Sequence, residues 1–327
     1  LRRNSPTGEK LLKILEGAGG AFVSGEDAAR TLHITRAALW KRVNSLRNKG
    51  FTIESRRGLG YRLASAPEFS VEEIKGAARG KLGKEIVFLD ETTSTNEVAM
   101  GLAAEGLPHG TVVIAEMQKK GRGRLGRHWV SPAGENIYMS VILRPALGPR
   151  DATLLTLLSS VACATAIMET TGLEVNIKWP NDVQVGGRKL GGILLETRTE
   201  PDVISHAVVG IGVNVNMRAS DFPASIKKIA TSVLRETGKT ARRAPIAAAI
   251  LNRMDAELKA LEKKGRGPLL KKWMGLSSTL GKKVKVTGAD GVLTGTAMGI
   301  DDEGRLLLRL PNRRLKKISS GDVVMVR

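Results

Sequence analysis

Three stretches of the 327-residue chain hold side chains whose types and spacing could do chemistry. The first is "QKKGRGRLGRHW", in which Arg122, Arg124 and Arg127 sit on a glycine-rich loop directly after the strand-like run "TVVIAEMQ". Guanidinium groups grip phosphate or carboxylate through paired hydrogen bonds, and glycines let a backbone approach an anion closely. The loop also matches G-x-G-x-x-G, the dinucleotide-binding turn. That motif needs a helix after the glycines, so that a helix N-terminus meets the pyrophosphate. Here the continuation is "HWVSPAGENIYMSVIL", which holds Pro132 and a Gly-Glu-Asn turn and then reads as a strand. The dinucleotide reading fails, and no G-x-x-x-x-G-K-[ST] occurs to replace it.

The second stretch is "DETTSTNEVAM", where Ser94, Thr95 and Asn96 stand between a strand and a helix. Such residues cap helices, and they also present hydroxyls and an amide to a polar ligand at a strand end. Both readings stay open on local pattern. The third is "NIKWPNDVQVGGRKLGGILLE". Asn181 and Asp182 follow Pro180 as polar turn residues, and a hairpin at Gly186-Gly187 leads to Arg188, Lys189 and the close-packing pair Gly191-Gly192. Lys189 is either one more hairpin lysine or a point charge for phosphate or carboxylate oxygens. "HAVVGIGVNVNM" adds a strand whose glycines and Asn214 suit an edge facing a ligand.

The elements that must position these groups fall into three segments. Residues 1–64 read as helix, short helix capped by Ser24, turn, basic helix capped by Thr35, and a hairpin, the order of a winged helix-turn-helix. This segment carries 13 Lys/Arg against 5 Asp/Glu. Arg36, Lys41, Asn44 and Arg47 on the last helix, with Arg56 and Arg57 on the wing, are the candidate DNA-binding residues; phosphate contacts would make binding salt-dependent. The alternative is a helical interaction module with solvated charges. Trp40, on the same helix, could pack or stay exposed. A linker spans 65–70, and residues 71–275 alternate Val/Ile-rich strands with Ala/Leu-rich helices. Residues 276–327 are short alternating strands with glycines at their turns. The expected class is α/β (α+β), multidomain, with a mixed central sheet.

Bulk properties bound the function. A net charge of +20 favours polyanionic partners. The single cysteine, Cys163, excludes an intrachain disulfide, and the four histidines show no i, i+4 metal pairing. No metal ligand set is legible. No run reaches the roughly 18 apolar residues of a membrane span and no signal peptide opens the chain, so no membrane partner and a cytoplasmic location are expected. Leu1 in place of Met suggests a trimmed or incomplete start.

Taken in order, "STN", "Q-x-x-GRGRLGRHW", "KWPNDV" and "RKLGGIL" resemble the biotin protein ligases. With the winged helix, and with "ISSGDVVMVR" resembling the end of their SH3-like barrel, the chain is similar to their bifunctional bacterial form, which is also the biotin operon repressor. The resemblance implies that biotin, ATP and Mg2+ give biotinyl-5′-AMP, and that a lysine of biotin carboxyl carrier protein, an acetyl-CoA carboxylase subunit, then takes the biotin. It further implies operator DNA as a partner and a homodimer on ligand and DNA binding. Carried onto this chain, Ser94, Thr95, Asn96, Gln118, Arg122, Gly123, Arg124, Lys189 and Gly192 would bind biotin. Arg122, Arg124, Lys189, Asn181, Asp182 and Asn214 would bind ATP or the adenylate, and Lys189 and Arg124 would be catalytic. Other readings are a ligase whose winged helix does not regulate the biotin operon, a ligand-sensing transcription factor, or a lipoate ligase.

Overall fold

The computed structural model describes residues 6–47, 51–65, 69–288 and 291–326, and the chain divides into two compact units. The first comprises residues 1–78 with 242–248. It contains α1 (Pro6–Gly17), α2 (Gly25–Thr31), α3 (Arg36–Arg47), β1 (Thr52–Arg56), β2 (Gly60–Ser65) and α4 (Val71–Ala77). Leu11, Leu12 and Leu15 of α1 pack with Leu39, Val43 and Leu46 of α3, with Phe51 and with Ile53 of the hairpin. Helical spacing puts each set on one face, and that face is the core. The Ser24 hydroxyl accepts from the amides of Glu26 and Asp27, and Thr35 accepts from the Ala38 amide, as the cap positions require. Gly60 lets β2 lie against the chain at Val23, since a Cβ there would stand 2.0 Å from the Val23 carbonyl oxygen.

The second unit, residues 79–241 with 249–327, is built on a seven-stranded sheet. Its strands are β3 (Ile86–Thr92), β4 (Val112–Gln118), β5 (Asn136–Leu143), β6 (Asn176–Lys178), β7 (Asp182–Val185), β8 (Arg188–Thr199) and β9 (Ile204–Asn214). They lie in the order β3-β4-β5-β9-β8-β7-β6, with β3 and β4 parallel and every other pair antiparallel. Between β3 and β4 runs α5 (Thr95–Ala104), whose Ala99 and Ala103 seat on Val113, Ile142 and Val208. The registers Ile142↔Val208, Ser140↔Gly210, Tyr138↔Gly212 and Gly192↔Gly212 place these residues on the face that α5 covers, because side chains alternate along a strand.

Along β6 to β9 packs α6 (Ala152–Thr171), buried on most of its surface and closed by Gly172 at φ 73°. Among the described residues it is the one helix, with the turn before it, long and apolar enough to cross a membrane, and 67% of that stretch is buried inside the protein. It is therefore a core helix, and Cys163 lies in its interior. After α7 (Val233–Thr237), α8 (Arg243–Lys264) and α9 (Gly267–Leu276), a five-stranded sheet closes the chain. Its strands are β10 (Lys283–Gly288), β11 (Gly291–Ile300), β12 (Leu306–Arg309), β13 (Leu315–Ile318) and β14 (Asp322–Met325), in the order β13-β12-β11-β10-β14. Trp179 joins the two sheets: its amide donates to Thr279 Oγ1 at 2.9 Å and its indole Nε1 to the Gly304 carbonyl at 3.2 Å.

Candidate active site

The sheet face shared with α5 opens into a cavity of about 520 Å3. Gly192, Gly210 and Gly212 form its floor, where strand positions without side chains leave room. Over that floor lies the Trp129 indole; a Cβ on Gly212 would come within 2.7 Å of it.

One end of the cavity is neutral and polar. Ser94, Thr95 and Asn96 are all buried there at the start of α5. The Ser94 side chain makes no capping hydrogen bond, so the capping role that local pattern allowed is not the one adopted. Gln118, at the end of β4, accepts from the Thr95 amide at 2.9 Å and donates to Ser131 Oγ at 3.0 Å. Asn96 is held by protein partners: its amide nitrogen donates to the Leu194 carbonyl and to Glu196, and its amide oxygen accepts from Ser140.

The arginine loop follows β4 directly. The amides of Lys119 and Lys120 donate to the carbonyls of Thr92 and Thr93, tying the loop's entry to the strand end before α5. Gly121 is required there, because a Cβ would stand 2.5 Å from the Trp129 carbonyl oxygen and 2.6 Å from Ser131 Oγ. The loop closes on itself through Gly123 N to Arg127 O at 2.7 Å, and its tip exposes Leu125 at φ 56°. Arg124 points inward and donates to Asn181 Oδ1 at 3.3 Å and to the Gly321 carbonyl at 3.4 Å. Burial draws its pKa below the ordinary arginine value, while Asp182 pulls it back up. Arg122 faces Glu196 at 3.8 Å, and Arg127 pairs with Asp322.

Opposite the loop stands Lys189, with its ammonium 2.5 Å from Asp182 Oδ1 and 5.5 Å from the centre of the Trp129 ring. Its backbone is locked by two bonds to the segment before α7, Lys189 N to Ile229 O and Thr231 N to Lys189 O. Asn214 lines the cavity and donates to the Thr231 carbonyl at 2.9 Å. All twelve cavity residues named from sequence, including Gly123 and Gly192, therefore border one space.

Sequence reasoning missed several others. Lys178 also borders the cavity, and burial lowers its pKa from the usual lysine range. Its place two residues before Pro180 in "KWPND" was the available signal. Ser140 and Glu196, which hold Asn96, look like ordinary strand residues. Asp322 and the neighbouring β14 residues reach the cavity mouth from the far end of the chain, and nothing local in "SSGDVV" indicates it. Met217, Phe222 and Ala230 form a small apolar cluster that walls the remaining side. Among the described residues no cluster of three or more His, Cys, Asp or Glu could hold a metal by itself.

In the first unit, Arg36 and Lys41 lie exposed along α3, beside Trp40 at 56% exposure. Arg56 and Arg57 are exposed at the hairpin turn, Arg56 stacking 5.3 Å from the centre of the Phe22 ring. Arg47 differs from these. It donates to the Ile53 carbonyl at 2.9 and 2.6 Å, to Ser55 Oγ and to Asn44 Oδ1, and so fastens the hairpin to α3.

Comparison with known proteins matches the chain to an HTH domain over residues 8–62, to the biotin/lipoate A/B protein ligase family over 88–214, and to the biotin protein ligase C terminal domain over 279–326. The bifunctional ligase/repressor BirA of Bacillus subtilis (strain 168) is 37% identical over 96% of this chain and 97% of its own. The biotin–[acetyl-CoA-carboxylase] ligase of Mycobacterium tuberculosis is 34% identical over 78% of this chain and 94% of its own. Among solved structures, a biotin protein ligase from Aquifex aeolicus in complex with biotin and ATP aligns with a TM-score of 0.64 at 32% identity, covering 75% of this chain and 99% of that one.

Proposed function

The chain belongs to the biotin/lipoate A/B protein ligase family, and from that premise we propose that its cavity is where biotin and ATP are joined. The protein is an ATP-dependent biotin–[acetyl-CoA-carboxylase] ligase and, through its winged helix, a DNA-binding repressor. One observation carries the assignment of the site: a single glycine-floored cavity has a neutral hydroxyl-and-amide end and, beside it, a cationic wall of Lys189, Arg124 and Lys178.

The neutral end suits a cyclic urea, which offers one carbonyl acceptor and two N–H donors to Ser94, Thr95 and Gln118. The valerate carboxylate then runs along Gly192 toward the cations, with Arg122 and Gly123 above it. In the first step a carboxylate oxygen attacks the α-phosphorus of ATP and pyrophosphate leaves. Two anions must meet, and their repulsion is offset by fixed positive charge from Lys189 and Arg124. Asn181 and Asn214 orient the nucleotide, and the Met217–Phe222–Ala230 wall provides an apolar face for the purine. A magnesium ion would be held chiefly by the phosphate oxygens, with the Asp182 carboxylate at the cavity wall as a protein ligand within reach, and would neutralise charge on the phosphates. No side-chain base is needed for this step, since biotin's carboxylate is already ionised at neutral pH.

In the second step a lysine amine of the acceptor attacks the mixed anhydride carbonyl and AMP leaves. The acceptor is a carboxylase's biotin-carrying domain, which we assign to biotin carboxyl carrier protein. The arginine loop encloses the intermediate and keeps water from the anhydride. Regulation follows if the adenylate-loaded protein dimerises and sets two α3 helices in successive major grooves of an operator. By function the chain divides into a winged helix (1–64), a linker (65–70), a catalytic domain (71–275) and an SH3-like domain (276–327).

The deciding experiment mixes the protein with ATP, magnesium and either biotin or lipoate and follows pyrophosphate release. Biotin is expected to drive it; release with lipoate alone would overturn the reading.

A further inference from the structure

We propose that Ser140, which does not border the cavity, fixes the Thr95 hydroxyl as a hydrogen-bond acceptor toward it, so that the site selects a ring carrying N–H at that position. The inference rests on the biotin ligase reading and adds a positioning residue to it.

The argument runs through acceptor-only groups. The Asn96 amide nitrogen lies 3.3 Å from the Leu194 carbonyl oxygen and 2.7 Å from Glu196 Oε2. A carbonyl and a carboxylate can only accept, so the amide NH2 must face them and Asn96 Oδ1 must face the other way. It faces Ser140, whose Oγ is 2.6 Å distant. An amide oxygen also only accepts, so the one hydroxyl hydrogen of Ser140 goes to Asn96. Ser140 Oγ stands 2.8 Å from Thr95 Oγ1 and, its hydrogen used, can only accept there. The other neighbour of Thr95 Oγ1 is Gln118 Oε1 at 3.2 Å. That atom is oriented by accepting from the Thr95 backbone amide, and so it too only accepts.

Both protein neighbours of the Thr95 hydroxyl thus demand its hydrogen, and only a lone pair is left for the cavity. The Asn96 amide is also wedged: a Cβ on Gly210 would stand 2.2 Å from its Oδ1, so β9 keeps a glycine where Asn96 presses on the sheet. Ser140 itself is fully buried on β5. Its contribution is the direction of a hydrogen bond, transmitted one residue outward. A ring N–H meeting Thr95 is accepted, whereas a ring oxygen meets lone pair with lone pair, the unpaired arrangement that hydrogen-bonding sites reject strongly.

The test compares biotin with its two cyclic carbamate analogues, in each of which oxygen replaces one ring N–H, in ATP–pyrophosphate exchange. Wild type is expected to disfavour one carbamate by about 100-fold in kcat/KM, the loss lying in KM. In Ser140→Ala the Thr95 hydrogen keeps only the longer bond to Gln118 Oε1, 3.2 Å against the 2.8 Å contact removed, so the hydroxyl turns to donate at lower cost. That ratio should shrink severalfold, while the other carbamate's ratio stays as in wild type. The ratio compares two substrates on one preparation and is insensitive to the fraction folded. Ser140→Cys, close in shape but a weak donor, should narrow the same ratio if the alanine variant does not fold. Wild-type discrimination retained in the Ser140 variants would overturn the relay. A wild-type protein that does not activate biotin would overturn the ligase reading instead.

Discussion

Replacing Lys189 with alanine removes the ammonium that pairs with Asp182 at the cavity wall. A unit charge about 4 Å from a phosphoryl oxygen is worth about 4 kcal/mol at an effective dielectric near 20. Only the part that grows as charge builds on the transferring phosphorus accelerates the reaction, and half of the interaction leaves about 2 kcal/mol. Since about 1.4 kcal/mol is tenfold in rate, the loss in adenylation should be roughly 30-fold, rising toward several hundredfold if the closed site is drier. Stability should barely change. The Lys189 side chain is one-third exposed, an ion pair so placed contributes at most about 1 kcal/mol, and Lys178 remains near Asp182 to share its charge. The assay is biotin-dependent ATP–pyrophosphate exchange beside a melting curve. Adenylation within threefold of wild type would refute the electrostatic role, and a large drop in melting temperature would make Lys189 a structural residue.

Other outcomes follow from the same geometry. Arg124→Gly deletes the contacts to Asn181 and Gly321 that hold the loop inward; it should release adenylate early, read as biotinylation of bystander lysines above the wild-type level. Burial pushes the Cys163 thiol up to about 12, so at pH 8 it stays neutral and should resist alkylation until the second unit opens, with labelling tracking denaturant rather than pH. Replacing Arg56 and Arg57 together by alanine should lower the slope of log affinity for operator DNA against log salt by about 2, whereas Arg47→Ala should instead destabilise the winged helix by about 1–3 kcal/mol in a melting experiment, through its lost bonds to Ile53.

The lettering of the chain makes the cavity-lining groups legible and hides their supports. Arg124, Lys189, Ser94 and Gln118 stand out because an arginine among glycines, or a hydroxyl run after a strand, is unusual for an element that merely packs. Caps at Ser24 and Thr35 and the period-two pattern of the strands likewise announce the winged helix and the sheet. Ser140 and Glu196 do not stand out, because a serine or glutamate on a strand is ordinary until β5, β8 and α5 meet. Arg47 reads as one more helix cation, and only the hairpin folding back onto α3 reveals that its guanidinium is occupied. Trp40 was equally open to packing, and its exposure is decided by Leu39 and Val43 taking the inward face of the same helix. The roles of Ser140 and Glu196 depend on contacts distant in sequence, which periodicity cannot report.

The pairing of Arg127 with Asp322, and the approach of Arg124 to the Gly321 carbonyl, carry a consequence for synthesis. Every other cavity-lining residue is translated by about residue 230, yet the groups that latch its rim arrive nearly a hundred codons later. A nascent chain therefore carries the residues of the floor and the charged wall before those of a closable mouth. Activation without retention would scatter a reactive acyl donor through the surrounding proteins, and the order of translation confines a fully latched rim to chains read almost to their last strand.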